Sequence, residues 1–415
     1  MESAHVESEK RNESIKLKQV IKDIKKLAKK VVLRVYRLET KIIPVQKDMI
    51  IFESNMGRNY TGNPKYIYEE MVRQGLDKKY RCYIILDDTS IQIPGHAKKI
   101  KRSRTLYYMI MGIAGIWVSD SRMPNYIIKR KGVHYIQTWH GTPLKKLAMD
   151  MDSVNMAGET DIEKYKRNFY KNTRTWDYLI SQNHYSTEIF KRAFAFDKTI
   201  LEIGYPRNDI LISGNKKEYI DQLKKSMGLP LDKKVLLYAP TWRDNQYYAK
   251  GAYKFTNALD FDLFREKLGD EYVCIVKYHY LVKDNLDWSA YKGFVYNFDM
   301  CEDIAQLYLV SDMLITDYSS VMFDYSILRR PMLFFAYDLE DYKDNLRGFY
   351  FDFLKEAPGP VTRTTGELID SILNYKPEEY ASKYEAFHKK YNHVDDGNAS
   401  RKVVELIKKL SGYSK

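Results

Sequence analysis

"VHYIQTWHGTPLKK", residues 133–146, decides how this chain is read. Its first seven residues are rich in β-branched and aromatic side chains, the composition of a strand. His140 then falls where that strand stops, followed by Gly141, Thr142 and Pro143. In open α/β sheets ligands bind beyond the carboxyl ends of strands, so the position suits a functional histidine. The alternative is a turn in which Gly141 and Pro143 only supply backbone geometry.

The same alternation extends in both directions. Residues 48–53, 80–86, 114–118 and 133–138 read as strands, with helices at 64–75, 104–112 and 161–172; Pro64 suits a first helical turn. The apolar run 106–118, "LYYMIMGIAGIWV", falls short of the roughly 20 residues that span a bilayer and reads as a buried helix running into a strand. A second series places strands at 177–180, 199–204, 234–239, 272–278, 293–296, 312–316 and 331–335. Helices at 184–195, 216–227, 260–268, 301–310 and 319–328 separate them, and amphipathic helices at 378–391 and 398–410 follow. Such alternation predicts parallel sheets with helices on both faces, and 415 residues suffice for two such halves, meeting near 205–215.

The balance of 68 Lys+Arg against 55 Asp+Glu, a net +13, points to an anionic partner. Cys82, Cys274 and Cys301 show no paired spacing, which fits a reducing compartment and no zinc site. The N-terminus is polar and has no signal-peptide pattern. Residues 1–14 are expected to be disordered. From Ile15 to Leu38 the pattern is helical, with Leu17, Val20, Ile24, Leu27, Val31 and Leu38 on one face and a one-sided row of lysines and arginines opposite. A basic amphipathic helix of this kind lies well on an anionic membrane surface; the alternative is a surface helix docked on the protein core.

Five polar clusters share one topological position, directly after a strand: "HGTPLKK", "GYPRND" (204–209), "YAPTWRD" (238–244), "KYHY" (277–280) and "TDYSS" (316–320). Parallel strands would bring all five to one cleft edge. Asp317 and Ser319 are helix-capping types, and Ser319 and Ser320 could hold a phosphate at a helix start; the alternative is a plain capped helix. His140 and His279 suit proton transfer or phosphate contact, and Lys277, Arg207 and Arg243 suit a phosphoryl clamp. There is no Walker lysine pattern, no G-x-G-x-x-G fingerprint, no H-E-x-x-H and no acidic cluster with metal-ligand spacing. No cofactor or metal is therefore predicted, nor is a nucleic-acid partner, since no recognition-helix motif or aromatic–basic interleaving is present.

Together with "QTWHGTPLKKL", "ITDYSSVMFDYSILRRP" and "RGFYFD…APGP", these motifs resemble the CDP-glycerol glycerophosphotransferase family, the teichoic acid primases and polymerases, over about residues 48–410. The resemblance implies a GT-B-like fold: two Rossmann-type domains facing a central cleft, here preceded by the basic amphipathic helix. The expected division is 1–44 for the start and the helix, 45–205 for an acceptor domain, 206–380 for a CDP-alditol domain and 381–415 for helices crossing back. It also implies a peripheral enzyme at the cytoplasmic face of the membrane. Such an enzyme moves glycerol phosphate, or ribitol phosphate, from CDP-glycerol or CDP-ribitol to an undecaprenyl-linked saccharide or polymer and releases CMP. By the same resemblance His140 and His279 are catalytic. The donor segments match Gly141, Thr142, Pro143, Leu144, Arg207, Asn208, Thr241, Trp242, Arg243, Lys277, Asp317, Ser319, Ser320 and Asp324. Asp324 holds either the helix start or the donor. Lys277 stands where arginine is as common and Tyr280 where proline is frequent, departures that bear on donor geometry. Two rival readings stand beside this one: a nucleotide-sugar glycosyltransferase of similar fold, and a non-catalytic basic protein binding membranes or nucleic acid. The short chain favours a primase-like transfer over polymerisation.

Overall fold

Strands and helices resolve into two all-parallel sheets in the computed structural model. It describes residues 2–154, 160–241, 247–249, 252–253, 258–278, 287–299, 301, 303–339, 348–350 and 352–412. The first sheet comprises β1 Gln46–Glu53, β2 Arg81–Leu86, β3 Lys98–Lys101, β4 Ala114–Ser119, β5 His134–Gln137, β6 Tyr178–Ser181 and β7 Thr199–Glu202. Their spatial order is β3-β2-β1-β4-β5-β6-β7. The second half begins with β8 Lys234–Tyr238, followed by a small antiparallel pair, β9 Tyr247–Ala249 and β10 Ala252–Tyr253. β11 Tyr272–Val276, β12 Val295–Asn297, β13 Met313–Thr316, β14 Met332–Phe335 and β15 Val361–Thr362 complete a sheet of order β12-β11-β8-β13-β14-β15.

Helices cover both faces of each sheet, so the strands are apolar on both sides. In β1, Met49 and Ile51 join Tyr83, Ile85, Trp117 and Tyr135 in one core cluster. Ile50 and Phe52 join Cys82, Ile84, Ile116 and Val118 in the other. The period of two recurs in β8: Val235 and Leu237 face one core, Leu236 and Tyr238 the other. The helix Pro377–Tyr391 lays Phe387 and Tyr391 on the second core. The last helix, Ala399–Ser411, returns to the first sheet, where Val403, Val404 and Ile407 are fully buried.

Several expectations need correction. The N-terminal helix, α1, runs from Glu2 to Ile42, so the disordered start expected over residues 1–14 is helical. No proline or glycine interrupts that stretch before Pro44. α1 docks through Val32, Leu33 and the buried Tyr36 rather than through its apolar stripe. Val20, Ile24, Leu27, Val31, Val35 and Leu38 are all more than half exposed. The edge strands β3 and β15 and the helix Thr365–Leu373 were not expected: "KKIK" buries a single side chain, and β15 is two residues long. The helix expected over 319–328 splits into Val321–Tyr325 and a 3-10 turn, Ser326–Leu328. The run 106–118 behaves as read, with α3 (Thr105–Ile113) passing directly into β4; α2, used below, is Gly62–Arg73.

Candidate active site

The strand order reverses at one place in each sheet: between β1 and β4 in the first and between β8 and β13 in the second. Such switch points open a crevice at the carboxyl ends of the strands. Here the two crevices face each other across one cleft of about 860 Å³. All five strand-end clusters contribute to its lining, through His140, Arg207, Thr241, Lys277 and Ser319 among others.

His140 is aimed by its neighbours. Trp139 takes a left-handed backbone, φ 51°, at the end of β5, and its indole stacks on the imidazole at 4.4 Å. Asn63, buried at the start of α2, donates to the carbonyls of Thr138 (3.2 Å) and Trp139 (3.0 Å) and accepts the backbone N–H of Arg207 (3.1 Å). His140 Nδ1 lies 3.0 Å from the carbonyl oxygen of Asp120. A carbonyl only accepts, so Nδ1 carries the proton and Nε2, on the opposite edge of the ring, is left as an acceptor. The side chain remains open to the cleft, while the protein packed around its base lowers its pKa below the usual histidine value. Desolvation is the main cause; the Asp120 carboxylate and carbonyl oppose it, and Arg207 and Arg122 reinforce it.

Gly141 permits the close approach of the two halves, since a Cβ there would stand 3.0 Å from Ser320 Oγ. The backbone after it is shared between them. Lys145 forms an antiparallel bridge with Phe349, Tyr350 N–H donates to Leu144 O (3.0 Å), and Leu144 itself lies in the second core. Thr142 lines the cleft but is buried, its hydroxyl donating to Gln182 Oε1 at 2.5 Å, and Pro143 O accepts from Tyr185.

Arg207 reaches the cleft with a guanidinium already engaged. It donates to His140 O (2.7 Å) and to Asp324 Oδ2 (2.5 Å), joining the two sheets. Asp324 also accepts from Asn208 (2.9 Å) and does not line the cleft, so it holds Arg207 and Asn208 rather than the helix start. Asp317 is no helix cap either: its buried carboxylate accepts the Thr241 N–H (2.8 Å), bracing the end of β8 against β13. Ser319 Oγ accepts from Val321 N at 3.4 Å, and Ser320 lines the cleft beside it. Lys277 donates to Asp299 O (2.6 Å). Trp242, Arg243, His279 and Tyr280 lie outside the described residues. Among the described residues no group of three or more His, Cys, Asp or Glu side chains is placed to hold a metal ion.

Sequence reasoning passed over Asn63, Asp120 and the turn after β1, Asn55–Gly57. Asp120 and that turn occupy the strand-end position that marked the other five clusters; "VSDS" and "ESNMGRN" carry the signal. It also passed over Asp303. This buried carboxylate caps the helix Ile304–Val310 and accepts from Lys65 Nζ (2.6 Å) and Tyr66 OH (2.7 Å) of α2, a second clamp between the halves.

Known proteins match this arrangement. The family described as CDP-glycerol:poly(glycerophosphate) glycerophosphotransferase matches residues 35–409. The chain belongs to that family. It is 47% identical over 395 residues to a teichoic acid poly(glycerol phosphate) polymerase of Bacillus subtilis, covering 93% of this chain and 52% of the relative. A polymerase of the same description from Bacillus spizizenii is 45% identical over 382 residues, covering 90% of this chain and 96% of the relative. The chain thus spans about half of one curated relative and nearly all of another. A solved structure of the wall teichoic acid polymerase TagF superposes with a TM-score of 0.88 at 44% identity, covering 95% of this chain and 97% of that one. A histidine-to-asparagine variant of that polymerase was soaked with CDPG. The fold of this glycerophosphotransferase-family chain is accordingly GT-B-like. Its shortness does not separate primase from polymerase, since the Bacillus spizizenii polymerase is matched over nearly its whole length.

Proposed function

We propose that this chain transfers glycerol phosphate from CDP-glycerol to a hydroxyl of a teichoic acid acceptor, releasing CMP. The observation that carries the reading is the His140 geometry. One ring nitrogen is committed to Asp120 O, and the other is left as an acceptor on an exposed side chain of the cleft that Thr241, Ser319 and Ser320 also line. In this reaction Nε2 takes the proton of the acceptor hydroxyl while its oxygen bonds to the β-phosphorus. The bond from that phosphorus to the bridging oxygen breaks, and CMP leaves with the bridging oxygen. Thr241, Lys277, Ser319 and Ser320 hold the diphosphate on the second wall. The Arg207 guanidinium acts chiefly by fixing His140 and Asp324 relative to each other, and its charge adds to the field at the cleft. A glycerol donor is favoured over ribitol by the family match and by poly(glycerol phosphate) polymerases that are 47% and 45% identical to this chain.

The acceptor is lipid-linked, and the enzyme works at the cytoplasmic surface of the membrane. No helix among the described residues is long and apolar enough to cross a bilayer. The exposed apolar stripe of α1, flanked by lysines, supports attachment in the plane of an anionic surface.

A thermal-shift panel of CDP-glycerol, CDP-ribitol and UDP-sugars tests the donor. CDP-glycerol should raise the melting temperature most, as saturation stabilises the state that binds. A UDP-sugar doing so instead would place the chain among glycosyltransferases.

A further inference from the structure

The cleft has two crevices, and the proposed diphosphate site occupies only the one at the second sheet. The crevice at the first switch point, between β1 and β4, is lined by Asn55, Met56, Arg58 and Asn59 and lies beside His140. Its backbone is unusual. Asn55, Met56 and Gly57 are consecutive left-handed residues, with φ of 47°, 56° and 82°, and two of them are not glycine. Such a conformation persists only where its surroundings impose it, and it concentrates at ligand sites. Here Asp120 Oδ1 accepts the Asn55 N–H at 2.8 Å, and Gly57 O accepts the Asp87 N–H at 2.6 Å. A side chain at Gly57 would meet Arg102 Cδ at 2.8 Å. Asp120 is also the residue whose carbonyl fixes the His140 tautomer, so one residue sets both the turn and the proposed base.

We infer that this left-handed turn holds the phosphodiester next to the attacking end of the acceptor, with Arg58 as its anionic contact. The inference rests on the transfer reaction proposed above. The side chains that the turn brings to the cleft fit the task. Asn55 Nδ2 donates to Asn59 Oδ1 (3.2 Å), and Arg58, whose Nη1 lies 3.5 Å from Asn55 Oδ1, lines the crevice. The neighbouring carboxylate, Asp120, accepts the Asn55 N–H and the Ser121 hydroxyl on one oxygen, Oδ1. A glycerol phosphate chain carries one anionic phosphodiester per unit. When its terminal hydroxyl reaches Nε2 of His140, the first phosphodiester lies one unit back, and the forked guanidinium matches its two non-bridging oxygens.

The test is steady-state transfer from CDP-glycerol to two soluble acceptors, one ending in a glycerol phosphate unit and one lacking the phosphate, using wild type, Arg58→Gln and Arg58→Lys. Arg58→Gln should raise KM for the phosphorylated acceptor about tenfold with kcat little changed, as loss of a charge-assisted contact made before the transition state would. It should leave KM for the neutral acceptor and the Kd of CDP-glycerol as they are, and Arg58→Lys should restore part of the loss. An unchanged KM for the phosphorylated acceptor overturns the inference, as does a loss of CDP-glycerol affinity, which would assign the turn to the donor. If wild type transfers to neither acceptor, the proposed reaction fails. Titration calorimetry of the phosphorylated acceptor on wild type and Arg58→Gln then decides the turn separately, equal affinities overturning it.

Discussion

Trp139 bears the backbone strain that lets His140 face the cleft. A bulky residue at φ 51° costs about 1–3 kcal/mol. Its indole offsets this by packing on Phe169, Phe190 and Phe194 at 6.5, 6.1 and 4.6 Å and by stacking on the imidazole itself. The arrangement makes His140 replaceable without loss of fold. His140→Ala should melt as wild type does and lose about 10²–10⁴ in kcat, the range for a general base. Since the His140 pKa is lowered, the base stays unprotonated at neutral pH. Wild-type transfer should therefore be flat around pH 7 and fall with a midpoint below 6.5 as the pH drops. A midpoint above 6.5, or a His140→Ala rate near that of wild type, would remove the base from the mechanism.

Among the elements, long apolar strands such as β1 and β8 were legible because burial on both faces leaves a continuous hydrophobic run. The edge strand β3 was not, since three of its four residues are lysines. At the site, the histidine, the serines and the basic residues stood out by chemical type. The residues that orient them did not, because Asn63 and Asp120 act through backbone atoms brought together by the sheet order, which no local pattern encodes. The segment between the last two helices shows the same limit. Asp395, at its centre, is placed against Gly204, accepts from Asn392 (3.2 Å) and Gln182 (3.4 Å), and is pushed up to about 8 by burial, with Asp324 and Asp209 adding to the rise. Its folded value lies above the unfolded one. Its contribution is therefore complete below about 4 and is lost as the pH rises through about 8. Asp395→Asn should leave the melting temperature at pH 4 nearly unchanged and flatten its decline between about pH 4 and 8. An equally steep decline in the variant would assign that loss to other groups.

At the scale of the whole molecule, the halves are tied by more than the chain that joins them. Arg207–Asp324, Lys65–Asp303 and the Lys145–Phe349 bridge all cross the cleft, so the two walls are held in register around the reacting groups. α1 adds the remaining surface. Deleting it would also strip Tyr36 from the core, so the cleaner test places charges on its exposed side. Ile24→Glu, Leu27→Glu and Val31→Glu together should fold normally and pellet much less with anionic vesicles, and wild-type binding should weaken with added salt. Equal pelleting of the two proteins would detach α1 from the membrane role.

The seating of Val403, Val404 and Ile407 on the first sheet also fixes the order in which the protein can be made. On the ribosome, β1 to β7 emerge first, yet one of their faces stays partly uncovered until residues 403–407 have been made. The later half, whose own core closes sooner, must form beside an unfinished partner, and a nascent chain stalled before residue 403 leaves that apolar side open to chaperones and to aggregation.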